Sequence, residues 1–238
     1  MEKLLKFLFP PKCIFCGRVG DIFCDACLAE CTLLQDQRCL VCDQTSPKGF
    51  THKTCLEKDP GKVPTRLLCI YSYQGKVRDC IRFSKYGARQ FLSMRKLCEE
   101  AAILCSETWG AFKADLCLPI PSSPKKLAYR GFNQANMIAE VVSKRFDIEL
   151  KKDVLVRIRD TESQHSQDRE QRRANVRESF GVHTPKAVWG KRVLVVDDIC
   201  TTGATFLEAS RVLYEAGAAD VQCFALSKRE KFCYNNRA

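Results

Sequence analysis

The sequence has 238 residues, and its 39 Lys and Arg residues against 28 Asp and Glu residues give a formal charge of +11. Such an excess of positive charge favours phosphate-bearing partners, either a small phosphorylated molecule or a nucleic acid. Its apolar runs fall short of the ~20 residues of a membrane-spanning helix, and the N-terminal segment MEKLLKFLFPPKC lacks the cleavage site of a secretory signal, so we expect a cytoplasmic protein.

The cysteines divide the chain into a cysteine-rich module, residues 1–60, and an α/β domain, residues 61–238. Nine of the 16 cysteines precede residue 70, and the first 60 residues contain no long periodic apolar run. A segment of this kind buries little apolar surface and needs another source of stability. In a reducing compartment, cysteines in pairs indicate metal binding rather than disulfides.

The module contains four pairs of metal-ligand residues with two residues between the members of each pair. They are Cys13 and Cys16, Cys24 and Cys27, Cys39 and Cys42, and His52 and Cys55. This spacing lets two side chains point at one zinc ion, so four pairs predict two tetrahedral, structural zinc sites, a double zinc ribbon. The alternatives are buried free cysteines and an iron–sulfur cluster.

The sequence leaves open how the four pairs combine. Adjacent pairs could share an ion, or the first pair could join the third and the second the fourth. Only seven residues separate Cys16 from Cys24, which is short for a ribbon. Cys31 fits neither site and is expected to be a free thiol.

In the second part of the chain, strand-like and helix-like patterns alternate. Strands are predicted over 66–73, 114–121, 191–199 and 219–226, and helices over 76–87, 91–109, 133–146 and 201–218. A polar stretch over 159–177 is predicted to be a loop. Alternation of this kind predicts a parallel sheet flanked by helices.

The segment VLVVDDICTTGAT, residues 193–205, combines an apolar strand, two aspartates and a loop of threonines around a glycine. Ligands of parallel α/β sheets lie beyond the carboxyl ends of the strands. Asp197 and Asp198 repel one another there unless they bind hydroxyls or cations. The loop offers backbone N–H groups and hydroxyls at a helix start, which suits a phosphate. A ribose 5-phosphate has this layout.

This segment resembles the signature of type I phosphoribosyltransferases, which bind phosphoribosyl pyrophosphate (PRPP). The resemblance implies a type I phosphoribosyltransferase fold. It also implies that Asp197 and Asp198 contact the ribose hydroxyls. The residues expected to hold the 5′-phosphate are Cys200, Thr201, Thr202, Gly203, Ala204 and Thr205.

Three further segments resemble the ComF family of competence proteins. They are PIPSSPKKLAYRGFNQANMIA (119–139), TESQHSQDREQRRANVRESFGV (161–182) and SKYG (84–87). Together with the cysteine module, the resemblance covers almost the whole chain. The sequence departs from the family pattern at Gln167, where a leucine is commoner.

The ComF-like segments supply groups expected near the pyrophosphate. PRPP contacts are predicted for Pro121, Ser122, Ser123, Arg130 and Lys85, and Arg172 is predicted to stabilise the leaving group from a closing loop. Lys125 and Lys126 add positive charge. Arg130 could instead be a surface residue, Lys85 could face solvent, and the loop could be a plain connector. Asn133 and Gln134 could contact ligand or cap the next helix.

The resemblance implies two functions that are compatible. One is magnesium-dependent transfer of ribose 5-phosphate from PRPP with release of pyrophosphate, for which the sequence names no acceptor and no general base. The other is handling of single-stranded DNA during natural transformation, together with a helicase and other uptake factors. In that alternative the protein is non-catalytic and uses the PRPP pocket for regulation. Aromatic residues near basic ones, such as Phe7, Phe15, Phe50 and Tyr86, would then contact DNA.

Overall fold

A computed structural model describes residues 10–84, 88–159 and 177–230 of the chain, and for 88–90 the backbone alone. Its strands are β1 (Arg66–Ser72), β2 (Leu116–Pro119), β3 (Glu149–Leu150), β4 (Leu155–Arg157), β5 (Phe180–Val182), β6 (Arg192–Cys200) and β7 (Asp220–Lys228). Its α-helices are α1 (Asp25–Ala29), α2 (Lys53–Lys58), α3 (Gly75–Phe83), α4 (Ala88–Thr108), α5 (Pro124–Arg130), α6 (Gln134–Phe146), α7 (Pro185–Val188) and α8 (Ala204–Glu215). A short 3₁₀ helix spans Pro47–Gly49.

The main sheet is parallel, with strand order β1-β7-β6-β2-β3. This confirms the predicted fold class of a parallel sheet flanked by helices. Because the strands are parallel, the carboxyl ends of β2, β6 and β7 meet at one edge of the sheet. That edge places the loop after β2 beside the Asp197–Asp198 pair.

Strand β6 runs through the middle of the core. Leu194 and Val196 pack on one face of the sheet, with residues of α3, α4 and α6. Val193 and Val195 pack on the other face, with residues of α8. All four side chains are fully buried. A strand covered on both faces needs apolar residues at consecutive positions, which is why VLVV is unbroken.

The predicted elements agree with the structure except near their ends and in short segments. Helix α3 ends at Phe83 rather than at residue 87, and the backbone N–H of Ser84, its C-cap residue, donates a hydrogen bond to Cys80 O. Helix α5 was not predicted, because every residue in it is at least partly exposed and leaves no apolar period to detect. Most of the predicted loop over 159–177 lies outside the described residues.

The cysteine-rich module consists of two similar units. Each begins with a tight turn closed by an antiparallel bridge, Lys12 to Val19 in the first unit and Arg38 to Thr45 in the second. A short helix follows in each, α1 and α2 respectively. The turns are called here the first knuckle (residues 13–18) and the second knuckle (residues 39–44).

The module packs along the edge of the sheet at β1. The backbone N–H of Leu34 donates to Ile70 O at 2.8 Å, and that of Ser72 donates to Thr32 O at 2.9 Å. The side-chain amide of Gln37 exchanges two hydrogen bonds with the backbone of Cys69. These bonds cover a strand edge that would otherwise be unpaired. The domain boundary near residue 60 stays a prediction.

Over the described part of the chain, no helix is both long and apolar enough to cross a membrane.

Candidate functional site

The eight predicted metal ligands form two clusters, one in each unit. Cys13, Cys16, Cys24 and Cys27 make the first, and Cys39, Cys42, His52 and Cys55 make the second. Within each cluster the ligand atoms lie within 4.8 Å of one another. The structure therefore combines adjacent pairs, and the crossed arrangement is not the one adopted.

The geometry of both clusters fits zinc. The sulfurs of Cys16 and Cys24 are 3.6 Å apart, and Cys42 Sγ lies 3.3 Å from His52 Nδ1. A tetrahedron with zinc–sulfur distances of about 2.3 Å has edges of about 3.8 Å. The other ring nitrogen of His52 lies 3.2 Å from Thr45 O, which fixes the ring orientation. With four protein ligands per ion, zinc would have a structural role.

The backbone around the first cluster favours a thiolate at Cys13. Burial acts to raise the pKa of this thiol, but backbone N–H groups of Cys24, Cys16 and Phe15 outweigh it and lower the pKa to about 6. Burial and the neighbouring sulfurs raise the pKa of Cys27 to about 12. Without a cation, ionised sulfurs this close repel one another, so full ionisation of the cluster requires a metal.

The two aspartates lie half-buried near the carboxyl end of β6. Burial and the charge of Asp198 raise the pKa of Asp197 well above its usual range. The backbone N–H of Asp198 donates to Asp197 Oδ1 at 2.9 Å. A ligand that brings hydroxyl donors or a cation would stabilise a carboxyl pair in this state.

The loop predicted to hold the 5′-phosphate, residues 200–205 and called here the phosphate loop, follows directly and leads into α8. Gly203 is the residue before α8 and has φ +78°, a left-handed conformation that favours glycine. The backbone N–H of Ala204 lies 3.4 Å from Thr202 Oγ1. The next two N–H groups of α8 have no partner within the helix, as at the start of any α-helix. They are available to an anion.

The loop after β2 forms the opposite wall of the same cleft, and Asn133 holds it in place. The amide of Asn133 donates to Ile120 O at 2.9 Å and accepts from Ser122 Oγ at 2.9 Å. The same side chain accepts from the N–H of Ala135 and so caps α6. Gln134 is buried and bonds to Ile81 O and Ser84 Oγ, so its role is structural.

The cleft between these walls has a volume of about 230 Å³ and is rich in charge. Of the predicted PRPP contacts, it is lined by Asp197, Asp198, Thr205, Pro121, Ser122, Ser123 and Arg130. Cys200, Thr201 and Thr202 line a neighbouring cleft, and the Cys200 side chain is buried. Ala204 lines a third depression, on the side of Glu208. Lys85 and Arg172 lie outside the described residues.

Two further cations lie at the cleft: Lys126, which was expected to add positive charge near the pyrophosphate, and Arg157, which was not predicted. Lys126 lines it, and burial together with the charges of Arg130 and Arg157 lowers the pKa of Lys126. Arg157 reaches it from β4, with its Nε 3.3 Å from Pro121 O and its guanidinium 4.8 Å from the centre of the Phe180 ring. Three cations held together in this way form a site for a multiply charged anion.

Comparison with known proteins agrees with this architecture. Residues 131–231 match the family described as phosphoribosyl transferase domain. The matched span contains both the segment over 193–205 and most of the helices and strands that position it. Residues 131–231 are therefore similar to a phosphoribosyltransferase domain, and a cysteine-rich module with two clusters of metal-ligand side chains precedes them.

The relatives extend the similarity to most of the chain. The chain is 27% identical over 234 residues to competence protein ComFC of Streptococcus pneumoniae strain R6, which covers 90% of this chain and 99% of that protein. It is 27% identical over 176 residues to the DNA utilization protein YhgH of Escherichia coli O157:H7, covering 73% of this chain and 76% of that protein. These relatives confirm the resemblance to the ComF family.

Among solved structures, glutamine PRPP amidotransferase from B. subtilis matches with a TM-score of 0.44 and 21% identity. The match covers 63% of this chain and 30% of that one.

Proposed function

We propose that the protein binds PRPP together with magnesium in the cleft between the loop after β2 and the phosphate loop. The observation that carries this proposal is the juxtaposition of the Asp197–Asp198 pair with three cations, Lys126, Arg130 and Arg157, around one cleft. A ligand that fits must offer hydroxyl groups to the aspartates and negative charge to the cations. PRPP offers both.

Each part of PRPP has a matching part of the cleft. The ribose hydroxyls accept and donate hydrogen bonds at Asp197 and Asp198. The 5′-phosphate lies at the N-terminus of α8, next to Thr205. The pyrophosphate faces Ser122 and the three cations. Magnesium bound with the pyrophosphate would supply positive charge. This charge would neutralise part of the negative charge on the pyrophosphate oxygens and reduce the repulsion between the two aspartates.

The same arrangement supports transfer of the ribose 5-phosphate group. In that reaction the bond from the anomeric carbon to pyrophosphate breaks, a nucleophile bonds to that carbon, and the pyrophosphate departs with the bonding electrons. Asp197 and Asp198 would hold the sugar still, and Lys126, Arg130 and Arg157 would stabilise the departing charge. Binding of PRPP is the primary proposal, because a protein that binds PRPP without transferring its ribose group would need the same contacts.

Calorimetric titration with whole PRPP and with its two halves tests the proposal. We expect PRPP with magnesium to bind more tightly than ribose 5-phosphate or pyrophosphate, because only the whole ligand engages both walls of the cleft. Release of pyrophosphate in the presence of candidate nucleobases would show transfer. Affinities for PRPP no higher than for either half would contradict the proposal.

A role in DNA uptake is the second part of the proposal, and the names of the relatives support it. Helix α5 adds an observation of its own: Tyr129 is 75% exposed and Leu127 45% exposed, on a helix that also carries Lys125. Exposed aromatic rings among lysines suit the stacking of unpaired bases. In contrast, Phe15 packs against Phe23. Phe7 and Tyr86 lie outside the described residues.

Binding of labelled single-stranded DNA across a range of salt concentrations tests this second part. Affinity that falls with salt, and falls again in Tyr129→Ala, supports DNA binding at α5. Binding that is absent at low salt contradicts it. A helicase partner stays a prediction.

A further inference from the structure

The second knuckle carries an aspartate where the first carries a glycine. Both knuckles have the form Cys-x-x-Cys, followed by Gly17 in the first and Asp43 in the second. Both residues are left-handed, with φ of 75° and 61°. In both turns the backbone N–H of this residue donates to the carbonyl oxygen of the first cysteine of the knuckle, Cys13 or Cys39, at 2.9 Å. Glycine adopts this conformation at lower energetic cost, so an aspartate at this position indicates that its side chain makes a specific contact.

The side chain of Asp43 points out of the knuckle toward the α/β domain. Its Oδ1 lies 3.2 Å from Nζ of Lys228, whose side chain is 14% exposed. Lys228 is the last residue of β7 and pairs in register with Cys200, the last residue of β6. The aspartate therefore fixes a lysine beside the start of the phosphate loop.

A second contact joins the same knuckle to the same loop. Leu40 is 6% exposed and belongs to the core cluster that contains Cys200 and Phe206. Its side chain fills the space beside Gly203, where any added Cβ would overlap Leu40 Cδ1. The phosphate loop is thus packed directly against the knuckle of the second metal cluster.

The two contacts enclose a cleft of about 190 Å³ between the knuckle and the loop. Thr201 and Thr202 line it from the loop, Leu40 and Asp43 from the knuckle, and Lys228 from β7. We propose that the second knuckle supports the phosphate loop from this neighbouring cleft, so that metal in the second cluster raises the affinity of the protein for PRPP. Leu40 and Asp43 are positioning residues in this arrangement. The inference rests on the proposed binding of PRPP.

Among the described residues, no hydrogen bond or ion pair joins residues 13–31 of the first unit to the phosphate loop, so the first cluster provides the control. Its three buried cysteines, Cys13, Cys24 and Cys27, pack in the hydrophobic core on the other face of the sheet, with residues of α3. Two ion pairs join its unit to the α/β domain, Glu30 with Lys76 of α3 at 2.6 Å and Asp21 with Lys96 of α4 at 3.7 Å. The two clusters thus hold opposite faces of one sheet, and metal in the first cluster is expected to leave the phosphate loop unaffected.

The central test compares Asp43→Gly with Asp21→Asn in the full-length protein. Asp43→Gly removes the carboxylate and eases the backbone of the knuckle, so the variant should retain its zinc by elemental analysis. We expect its affinity for PRPP with magnesium to fall about 5-fold or more, the usual range for coupling between sites. We expect Asp21→Asn to bind as the wild type does. Equal affinity of a fully metallated Asp43→Gly and the wild type overturns the inference.

A second comparison changes the metal site itself. In His52→Ala the second cluster has three ligands, and in His52→Cys it has four again, with a cysteine as at Cys24 in the first unit. We expect PRPP affinity to fall in His52→Ala and recover in His52→Cys, whereas Cys24→Ala lowers zinc content alone. An affinity of His52→Ala equal to that of the wild type at half the zinc content overturns the inference.

Hydrogen exchange of the unliganded protein separates the two proposals. We expect the amides of residues 201–207 to exchange faster in Asp43→Gly than in the wild type or Asp21→Asn. If the wild type does not bind PRPP, the proposed function fails, and exchange decides the inference alone. Faster exchange in Asp43→Gly then supports the part of the inference in which the knuckle holds the phosphate loop in place, and unchanged exchange overturns it.

Discussion

The backbone N–H of Asp198 donates to Asp197 Oδ1 at 2.9 Å, and this hydrogen bond stabilises the ionised form of Asp197. The negative charge of the Asp198 side chain has the opposite effect on Asp197. The balance favours the neutral form, because burial and the charge of Asp198 raise the pKa of Asp197. Ionisation of both aspartates is therefore unfavourable in the unliganded site, and a ligand that brings hydroxyl donors or a cation would stabilise it.

Asp197→Asn is expected to stabilise the unliganded protein at neutral pH. A carboxyl with a raised folded-state pKa binds its proton more tightly in the folded protein, so stability declines as the pH rises from about 4 through that pKa. Asparagine keeps the acceptor for Asp198 N–H and removes the titration. Melting temperatures across pH 5 to 8 should be higher and flatter for the variant. A variant that melts lower than the wild type at every pH would contradict this reading.

Asp115→Asn is the control for the pH dependence. Arg192 lowers the pKa of Asp115 to about 2 through side-chain and backbone hydrogen bonds. Its contribution is present above about pH 4 and is lost as the pH falls toward 2. This variant should therefore lose stability at neutral pH and keep the slope of the wild type between pH 5 and 8.

Gly203→Ala is expected to destabilise the protein by roughly 2–5 kcal/mol. A left-handed alanine costs about 1–2 kcal/mol, and forcing a methyl group against Leu40 costs about 1–3 kcal/mol more. Gly131→Ala is the matched control, because Gly131 has φ +75° and open space around its Cα. Denaturant unfolding should show a loss at Gly131 of the backbone part alone. Equal losses at the two positions would mean that Leu40 moves aside freely.

Elemental analysis should find two zinc ions per chain. Cys16→Ser and Cys42→Ser, each in a different cluster, should each leave one ion, because the clusters share no ligand. A chelator should unfold the cysteine-rich module, since metal binding and folding are coupled in such small units. Loss of both ions from either single variant would show that the clusters depend on one another.

Arg157→Ala is expected to weaken pyrophosphate binding about 10-fold or more, the loss of one charged hydrogen bond. Calorimetric titration with pyrophosphate measures this directly. Lys152→Ala is a suitable control, because Lys152 pairs with Glu140 on the surface and does not line the cleft. Unchanged affinity in Arg157→Ala would place the pyrophosphate elsewhere.

The features that could be predicted from the sequence are those that depend on the succession of neighbouring residues along the chain. The run VLVVDDICTTGAT encodes a buried strand, an acidic pair and a helix start within 13 residues, and the structure keeps that order. The two-residue spacing within the three Cys-x-x-Cys pairs and the His52–Cys55 pair likewise predicted the ligands of both clusters. Which pairs combine was not predictable, because the spacing fits both arrangements.

Other features depend on contacts between distant segments. Arg157 lies in a three-residue strand, and only its pairing with β5 brings it to the cleft. The contact of Leu40 with Gly203 joins positions 163 residues apart, and nothing in either segment indicates the other. Helix α5 has no apolar face to detect. Such features require the folded chain.

The most direct test of the account is calorimetric titration of PRPP with magnesium into the wild type, Asp198→Asn and Asp153→Asn. Asp153 is an exposed acid outside the cleft and controls for the loss of one charge. We predict that the wild type and Asp153→Asn bind equally and that Asp198→Asn binds about 10-fold more weakly or worse. Equal binding by all three proteins, or no binding by the wild type, would contradict the assignment of this cleft to PRPP.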